Sequence, residues 1–520
     1  PFDLIFSCIS KGGLSRFQYT LSYRHIMAER RHVQSGEKSD IVSGIADEVR
    51  IVSKSTDQVK LKRNVGFISG SSFIVGSIIG SGIFISPKGV LQEAQSVGLS
   101  MVVWAAGGLL SLLGALTYAE LGTLIPKSGA EYPYLFEAMH PIVAYLFAWT
   151  KVIVLQPSSL AIVCLTFAEY VASFMDYCGS PKIPIKLVAA LVILTICIIN
   201  CYDISLASSI QVIFTVVKLI ALGIIVIGGI VRMAQGHLSV LQTGFNGTTS
   251  SPASIALAFY SAMWAYDSWN NLNYLTEELE NPFVNLPRAN VSGILLVTVV
   301  YILANISYFT VLTADKLLES DAVAVDWGKE VLGVAWYIIP LSVLFSTFGA
   351  ANGFCFAGSR VVYCAAREGH LPEVLSYIHC KRYTPVLSII FTCVIATLMI
   401  IPSDVGGLID FFSFAAWTFY ALTALALIIL RFTKRNNHRP IKVFILIPVV
   451  FFLVSAFLVI APIVQDPRIE ILYALFFILG GLVLYFPFVC FKLDRGCFDC
   501  VTTVLQLICE SVPSPHDPDD

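Results

Sequence analysis

The feature that most constrains this chain is a procession of long apolar runs from residue 66 onward. Each is near the ~20 residues that a helix needs to cross ~30 Å of hydrocarbon. They fall at about 66–92, 98–125, 141–175, 184–202, 206–233, 252–276, 288–313, 331–366, 385–402, 407–431, 443–464 and 469–492. Hydrophobic residues make up 56% of the 520 and charged residues only 13%, against about one quarter charged in soluble domains. The expectation is an all-α membrane protein with twelve transmembrane helices. Residues 1–64 differ: Arg16, Arg30, Arg31, Lys60 and Lys62 stand among Ser, Gln and Asp without an apolar period, as in a flexible solvated tail. The chain opens on Pro1, and Met27 reads as a candidate start. No signal-peptide pattern precedes the first span, which is therefore expected to direct its own insertion.

An even number of spans puts both termini on one side of the membrane. Lys60, Lys62 and Arg63 precede the first span, Arg367, Lys381 and Arg382 follow the eighth, and Arg431, Lys434, Arg435, Arg439 and Lys442 follow the tenth. Basic loops face the cytoplasm, so both termini are expected there. Residues 493–520 read as a cytoplasmic helix and tail, with Cys497 to Ser511 amphipathic. A net charge of −2 without a long basic run speaks against nucleic acid as a partner and leaves membrane lipid as the surrounding phase. Most of the thirteen cysteines lie in apolar segments, where a thiol is a small buried hydrophobe.

Spans 1–5 (65–233) and spans 6–10 (252–431) are blocks of similar length, and five helices invert the second relative to the first. Spans 11 and 12 (443–492) follow. A five-plus-five inverted repeat predicts that the first helix of each block is broken around a midplane site. Both candidates carry the signal. Val75-Gly-Ser-Ile-Ile-Gly-Ser-Gly-Ile-Phe-Ile-Ser86 is interrupted by Gly76, Gly80 and Gly82, and Tyr266-Asp-Ser-Trp-Asn-Asn-Leu-Asn273 puts an acid and three amides into an apolar run. The glycines and serines serve equally for close helix packing. If the helix opens, the N–H groups of Ser81, Gly82 and Ile83 meet a carboxylate. The carbonyls near Ile78 and Ile79 then accept from an α-ammonium.

Asp267 is costly inside a membrane and pairs with a cationic substrate side chain, or else caps the second half-helix. Trp264 is placed to cover a substrate, and Trp269 to do so or to pack. Asn270 binds substrate or repairs freed backbone. Lys218 stands alone in the apolar stretch 210–230 and either takes the place of a bound cation's charge or snorkels to an interface. A polytopic enzyme using Asp267 with Glu120 or Glu277 is the competing class. No metal-ligand set, nucleophile elbow or His–acid pair accompanies these residues, so neither enzymatic activity nor a cofactor is expected.

Several motifs in order carry a family resemblance: Gly80-Ser-Gly-Ile-Phe-Ile-Ser-Pro-Lys-Gly89, Gly114-Ala-Leu-Thr-Tyr-Ala-Glu-Leu-Gly122, Tyr266-Asp-Ser-Trp-Asn270 with Thr276-Glu-Glu-Leu-Glu-Asn-Pro282, Arg367-Glu-Gly-His-Leu-Pro372 and Arg439-Pro-Ile-Lys-Val443. From about residue 64 on, the chain resembles the light subunits of heteromeric amino acid transporters, in the amino acid, polyamine and organocation superfamily. Among them it is most similar to the type that carries cationic substrates. The resemblance implies a sodium-independent antiporter in the plasma membrane, apical in epithelia, exchanging external cationic amino acids and cystine for internal neutral ones. An exchanger of large neutral amino acids with the same fold is the alternative. Aspartate at position 267 matches the cationic type. Lys218 matches a family lysine that stands in for a sodium ion.

Two departures stand out: Gln156 where relatives usually carry Lys or Arg, and Ser268 where glycine is common. Cys178, in a loop expected outside the cell, lacks an intrachain loop partner. The resemblance implies an intersubunit disulfide from it to an rBAT-like heavy chain, a single-pass type II membrane glycoprotein, with pairing of such complexes into a dimer of heterodimers. Asn246-Gly-Thr is a glycosylation sequon in an expected extracellular loop. Val512 to Pro518 partially resembles a terminal trafficking motif.

Overall fold

The computed structural model describes residues 66–512 apart from 126–128, 173, 175–181, 203, 321, 368, 381, 383, 403, 466–467 and 487–495. The expected N-terminal tail, Cys178 and the terminal motif beyond Val512 lie outside the described residues, as do the side chains of Cys497 and Cys500. In chain order the helices are α1 (Phe67–Ile78), α2 (Gly82–Ala94), α3 (Val97–Leu124), α4 (Glu131–Ala138), α5 (Pro141–Thr150), α6 (Gln156–Ala172), α7 (Lys182–Tyr202), α8 (Ile204–Ala234) and α9 (Pro252–Ala265). There follow α10 (Pro282–Phe309), α11 (Ala314–Glu319), α12 (Val323–Leu332), α13 (Ile338–Arg367), α14 (Val386–Ile400), α15 (Val405–Thr433), α16 (Leu446–Gln465), α17 (Ile469–Leu484) and α18 (Gly496–Cys509).

Among the described residues, eight helices are long and apolar enough to cross a membrane, α5 and α6 counting as one through a π-turn at Lys151–Leu155. A ninth span is the bent pair α1 and α2, which meet at 52°. The shorter apolar helices α14 and α17, and α9 with the turn after it, occupy the remaining runs. The chain is thus a nearly all-helical multi-pass membrane protein, and each block opens on an interrupted helix. Lipid-facing stripes are evident where apolar residues at helical spacing stay uncovered: Leu187, Leu191, Leu194 and Ile198 on α7 are all more than half exposed. In a bilayer this surface needs no further partner.

Local chemistry sets the helix ends. Ser96, Ser251 and Asp404 accept N–H bonds at the starts of α3, α9 and α15, and prolines occupy the first turns of α5, α9 and α10. Two apolar runs begin elsewhere than the sequence pattern indicates. The run expected to start at 331 starts as a long helix only at Ile338, because Gly333, at φ +52°, ends α12 and a 3₁₀ turn follows. The run placed at 288 begins at Pro282, whose fixed φ suits a first helical turn.

In the packing, α10 lies against α1 and α3, α9 against α2, and α13 against α6 and α8. A two-residue antiparallel pairing of Ile378–His379 with Ser511–Val512 fastens the end of α18 to the segment between α13 and α14.

Candidate functional site

Opening of α1 from α2 leaves Ile79, Gly80 and Ser81 outside regular helix. The first N–H of α2 to find a backbone acceptor is that of Phe84, which donates to the Ser81 carbonyl at 3.0 Å. Gly82 and Ile83 therefore present N–H groups with no backbone acceptor among the described residues, at the positive end of a 13-residue helix. Ser81 is 3% exposed and Ile83 fully buried. Glycine at 82 has a second cause: a Cβ there would lie 2.4 Å from the Ala265 Cα, so the two broken helices touch backbone to backbone. Of the two readings of the glycine pattern, both apply at different positions.

In the second block, α9 stops at Ala265 and irregular turns carry the chain through Tyr266 to Asn270 before a 3₁₀ segment at Asn271–Glu278. Ser268 has φ +74°, the left-handed region that glycine occupies without strain. Tyr301 of α10 joins the two breaks. Its hydroxyl lies 2.9 Å from the carbonyl oxygen of Ile78 and 2.9 Å from that of Ala265. One proton serves one acceptor at a time, so the pair keeps acceptor capacity for an ammonium.

Asp267 has two long side-chain contacts, from the Ser268 hydroxyl at 3.4 Å and the Tyr420 hydroxyl at 3.5 Å, beside a bond from the Ser268 backbone N–H. Such distances are beyond normal O–H···O bonds to a carboxylate. The carboxylate is thus placed at the break without an ion-pair partner among the described residues. Trp264, in the last turn of α9, packs edge-on to Phe412 at 5.0 Å, and its indole N–H has no partner among the described residues. Trp269 is core: it is 1% exposed and packs edge-on or tilted against Tyr118, Tyr420 and Phe451.

Asn270 points into a polar knot that the sequence did not reveal. Its amide donates to Glu131 at 2.5 Å, and Glu131 also accepts from the hydroxyls of Tyr274 at 2.6 Å and Tyr118 at 3.2 Å. An acid directly after Gly129 and Ala130, between two apolar runs, was the signal available in the sequence.

Lys218 is 3% exposed and donates to the Gly76 carbonyl of α1 at 2.7 Å, so it does not snorkel. Gln156 donates to the Phe354 carbonyl at 3.0 Å, linking α6 to α13. Asn246 is exposed in the loop before α9. Glu120, the acid of the competing enzymatic reading, accepts from Arg431 at 3.0 Å, from Arg439 at 3.1 Å and from the Val443 N–H at 2.9 Å. That arrangement locks the carboxylate structurally. The side chain of Glu277 lies outside the described residues.

The amino acid permease family matches residues 65–486. The chain is 52% identical over 476 residues to the b(0,+)-type amino acid transporter 1 of Mus musculus and equally to that of Homo sapiens, covering 91% of this chain and 98% of each relative. It is 40% identical over 486 residues to the large neutral amino acids transporter small subunit 2 of Homo sapiens, covering 93% of this chain and 91% of that protein. These relatives are transporters, which removes the enzymatic reading. A family match over most of the chain and two interrupted helices meeting at Gly82 and Ala265 agree: the chain belongs to the amino acid permease family.

Proposed function

We propose that the protein is a sodium-independent amino acid antiporter that takes up cationic amino acids and cystine in return for neutral ones. The observation that carries this reading is Asp267, a carboxylate at the break of the second block whose side-chain contacts are two long hydroxyl bonds and which has no ion-pair partner among the described residues. An acid within a membrane span that has no ion-pair partner favours a cationic one. The substrate carboxylate meets the N–H groups of Ser81, Gly82 and Ile83. Its α-ammonium meets the carbonyls near Ile78, Ile79 and Ala265, and Trp264 covers the bound molecule and offers its indole N–H. Asn270 holds the chain beyond the break against Glu131 rather than facing the substrate with its amide N–H. Lys218 braces α1 with a fixed positive charge, which supports independence from sodium. Alternating access follows from movement of the paired broken helices against the rest.

In the same reading Cys178 forms the disulfide to a type II glycoprotein heavy chain, Asn246 is a glycosylation site, both termini are cytoplasmic, and the complex resides in the plasma membrane. The relatives' b(0,+) and large-neutral types bracket the substrate range. The test is uptake of labelled arginine and leucine into sodium-free proteoliposomes, with and without internal amino acid, for the wild type and Asp267→Gly. Arginine uptake that needs internal amino acid, and is lost in the variant while leucine uptake persists, is expected. Arginine uptake indifferent to the substitution refutes the role of Asp267 and moves cation selectivity to other spans, whereas leucine uptake without arginine uptake in the wild type leaves the exchanger of large neutral amino acids as the reading. A sodium requirement refutes that of Lys218.

A further inference from the structure

Lys151 is a second cation near the break that the reading above does not use. It begins the π-turn Lys151–Leu155, where the Gln156 N–H donates to the Lys151 carbonyl. A π-turn inside a membrane helix is an uncommon device found mostly at functional positions. Here it packs against α15, the helix that carries Tyr420. The ammonium lies 5.4 Å from the centre of the Tyr274 ring, whose hydroxyl is bonded to Glu131. It also lies within Coulombic reach of Asp267. Tyr420 completes the ring of contacts, reaching Asp267 at 3.5 Å. No carboxylate pairs with Lys151 within ion-pair distance among the described residues, so its charge is not committed to one acid, and it sits over the ring of Tyr274, whose hydroxyl is bonded to Glu131.

We propose that Lys151 is a specificity-determining residue, a tethered cation that balances Asp267 when the bound amino acid is neutral and yields when the substrate brings its own positive charge. The proposal rests on the assignment of Asp267 as the side-chain site. With both acids ionised, the group carries one negative charge in excess. A cationic substrate side chain cancels that excess. A neutral substrate does not, but Lys151 keeps the uncompensated charge to one rather than two. Removing the ammonium therefore strengthens the pull on a cation and makes a neutral occupant costlier. Lys151 is what permits the two legs of the exchange to share one pocket.

The experiment measures kcat/KM for external arginine and leucine in the same sodium-free proteoliposomes for Lys151→Met, Lys151→Gln, Lys151→Arg and Asp267→Asn, and for Lys151→Met combined with Asp267→Asn. Neutralising Lys151 is expected to raise the arginine-to-leucine ratio roughly tenfold, the size of one unit charge acting at short range in a partly hydrated site. Lys151→Arg should hold the ratio within about twofold, since the charge is kept. On the Asp267→Asn background the Lys151→Met effect should vanish. A structural lysine would instead depress both substrates equally, and an unchanged ratio in whichever neutral variant folds overturns the proposal, as does a large change in Lys151→Arg. If Asp267→Asn alone leaves the ratio unchanged, the side-chain site itself is wrong, a failure distinguishable from the first.

Discussion

Ser268 holds a conformation that its side chain does not favour. At φ +74° an L-residue with a Cβ is strained by about 1–2 kcal/mol, whereas glycine is not. The surrounding turn over-determines it: Tyr266 is anchored through its hydroxyl to the Trp104 carbonyl at 3.0 Å, and the Asn271 N–H returns to the Ser268 carbonyl at 3.1 Å. The Ser268 hydroxyl offers one long bond to Asp267 in return. Ser268→Gly should therefore stabilise the folded protein by about 1 kcal/mol, some of the strain being offset by the greater freedom of glycine in the unfolded chain. Thermal unfolding of purified protein checks this. A lower melting temperature would show that the hydroxyl contact outweighs the backbone strain.

Elements separated widely in sequence are tied by buried ionic groups, and the strongest tie lies between the end of α3, the end of α15 and the segment before α16. Glu120 is fully buried, with Arg431 and Arg439 at 9% and 7% side-chain exposure. The carboxylate accepts from both guanidinium groups and from the Val443 N–H. Glu120→Gln keeps the shape but leaves two buried cations without their anion, a loss of about 3 kcal/mol or more. The expected outcome is protein that elutes as aggregate or melts well below the wild type, and wild-type stability would refute the assignment of this cluster as structural.

The contrast with the candidate site explains what could be read in advance. Gly82, Asp267 and Lys218 were legible because glycine, acid and lysine are conspicuous in apolar runs. Tyr301 was not, since tyrosine is ordinary in a membrane helix and its two acceptors lie 223 and 36 residues away. Glu131 likewise gained its meaning only when Asn270, Tyr274 and Tyr118 converged on it. Helix starts at Pro282 and Ile338 escaped hydropathy because proline chemistry and a positive-φ glycine set them.

At the scale of the molecule, α2 and α9 form one contacting pair, and what holds the pair to its surroundings decides which side can open. Arg468, just before α17, donates to Glu93 in the last turn of α2 at 2.7 Å and to Asp410 near the start of α15 at 2.8 Å. The three bridge residues themselves line a cavity of about 300 Å³, together with Gly89, Leu257 and Ser261. The proposed topology puts this end of the helices outside the cell, so the bridge lies across the external approach to the break. Moving α2 away from α15 must break at least one of these two ion pairs, which makes Arg468 a brake on opening outward. Arg468→Met should lower that cost and shift the population toward the outward-open form. The measurement is labelling of Ser261→Cys by a membrane-impermeant maleimide on intact cells, with the chain retaining Ser261 as background. Faster labelling when Arg468→Met is added supports the brake. Labelling at the same rate would mean that α2 and α15 separate elsewhere, and that the Arg468 bridge only steadies the loop before α17.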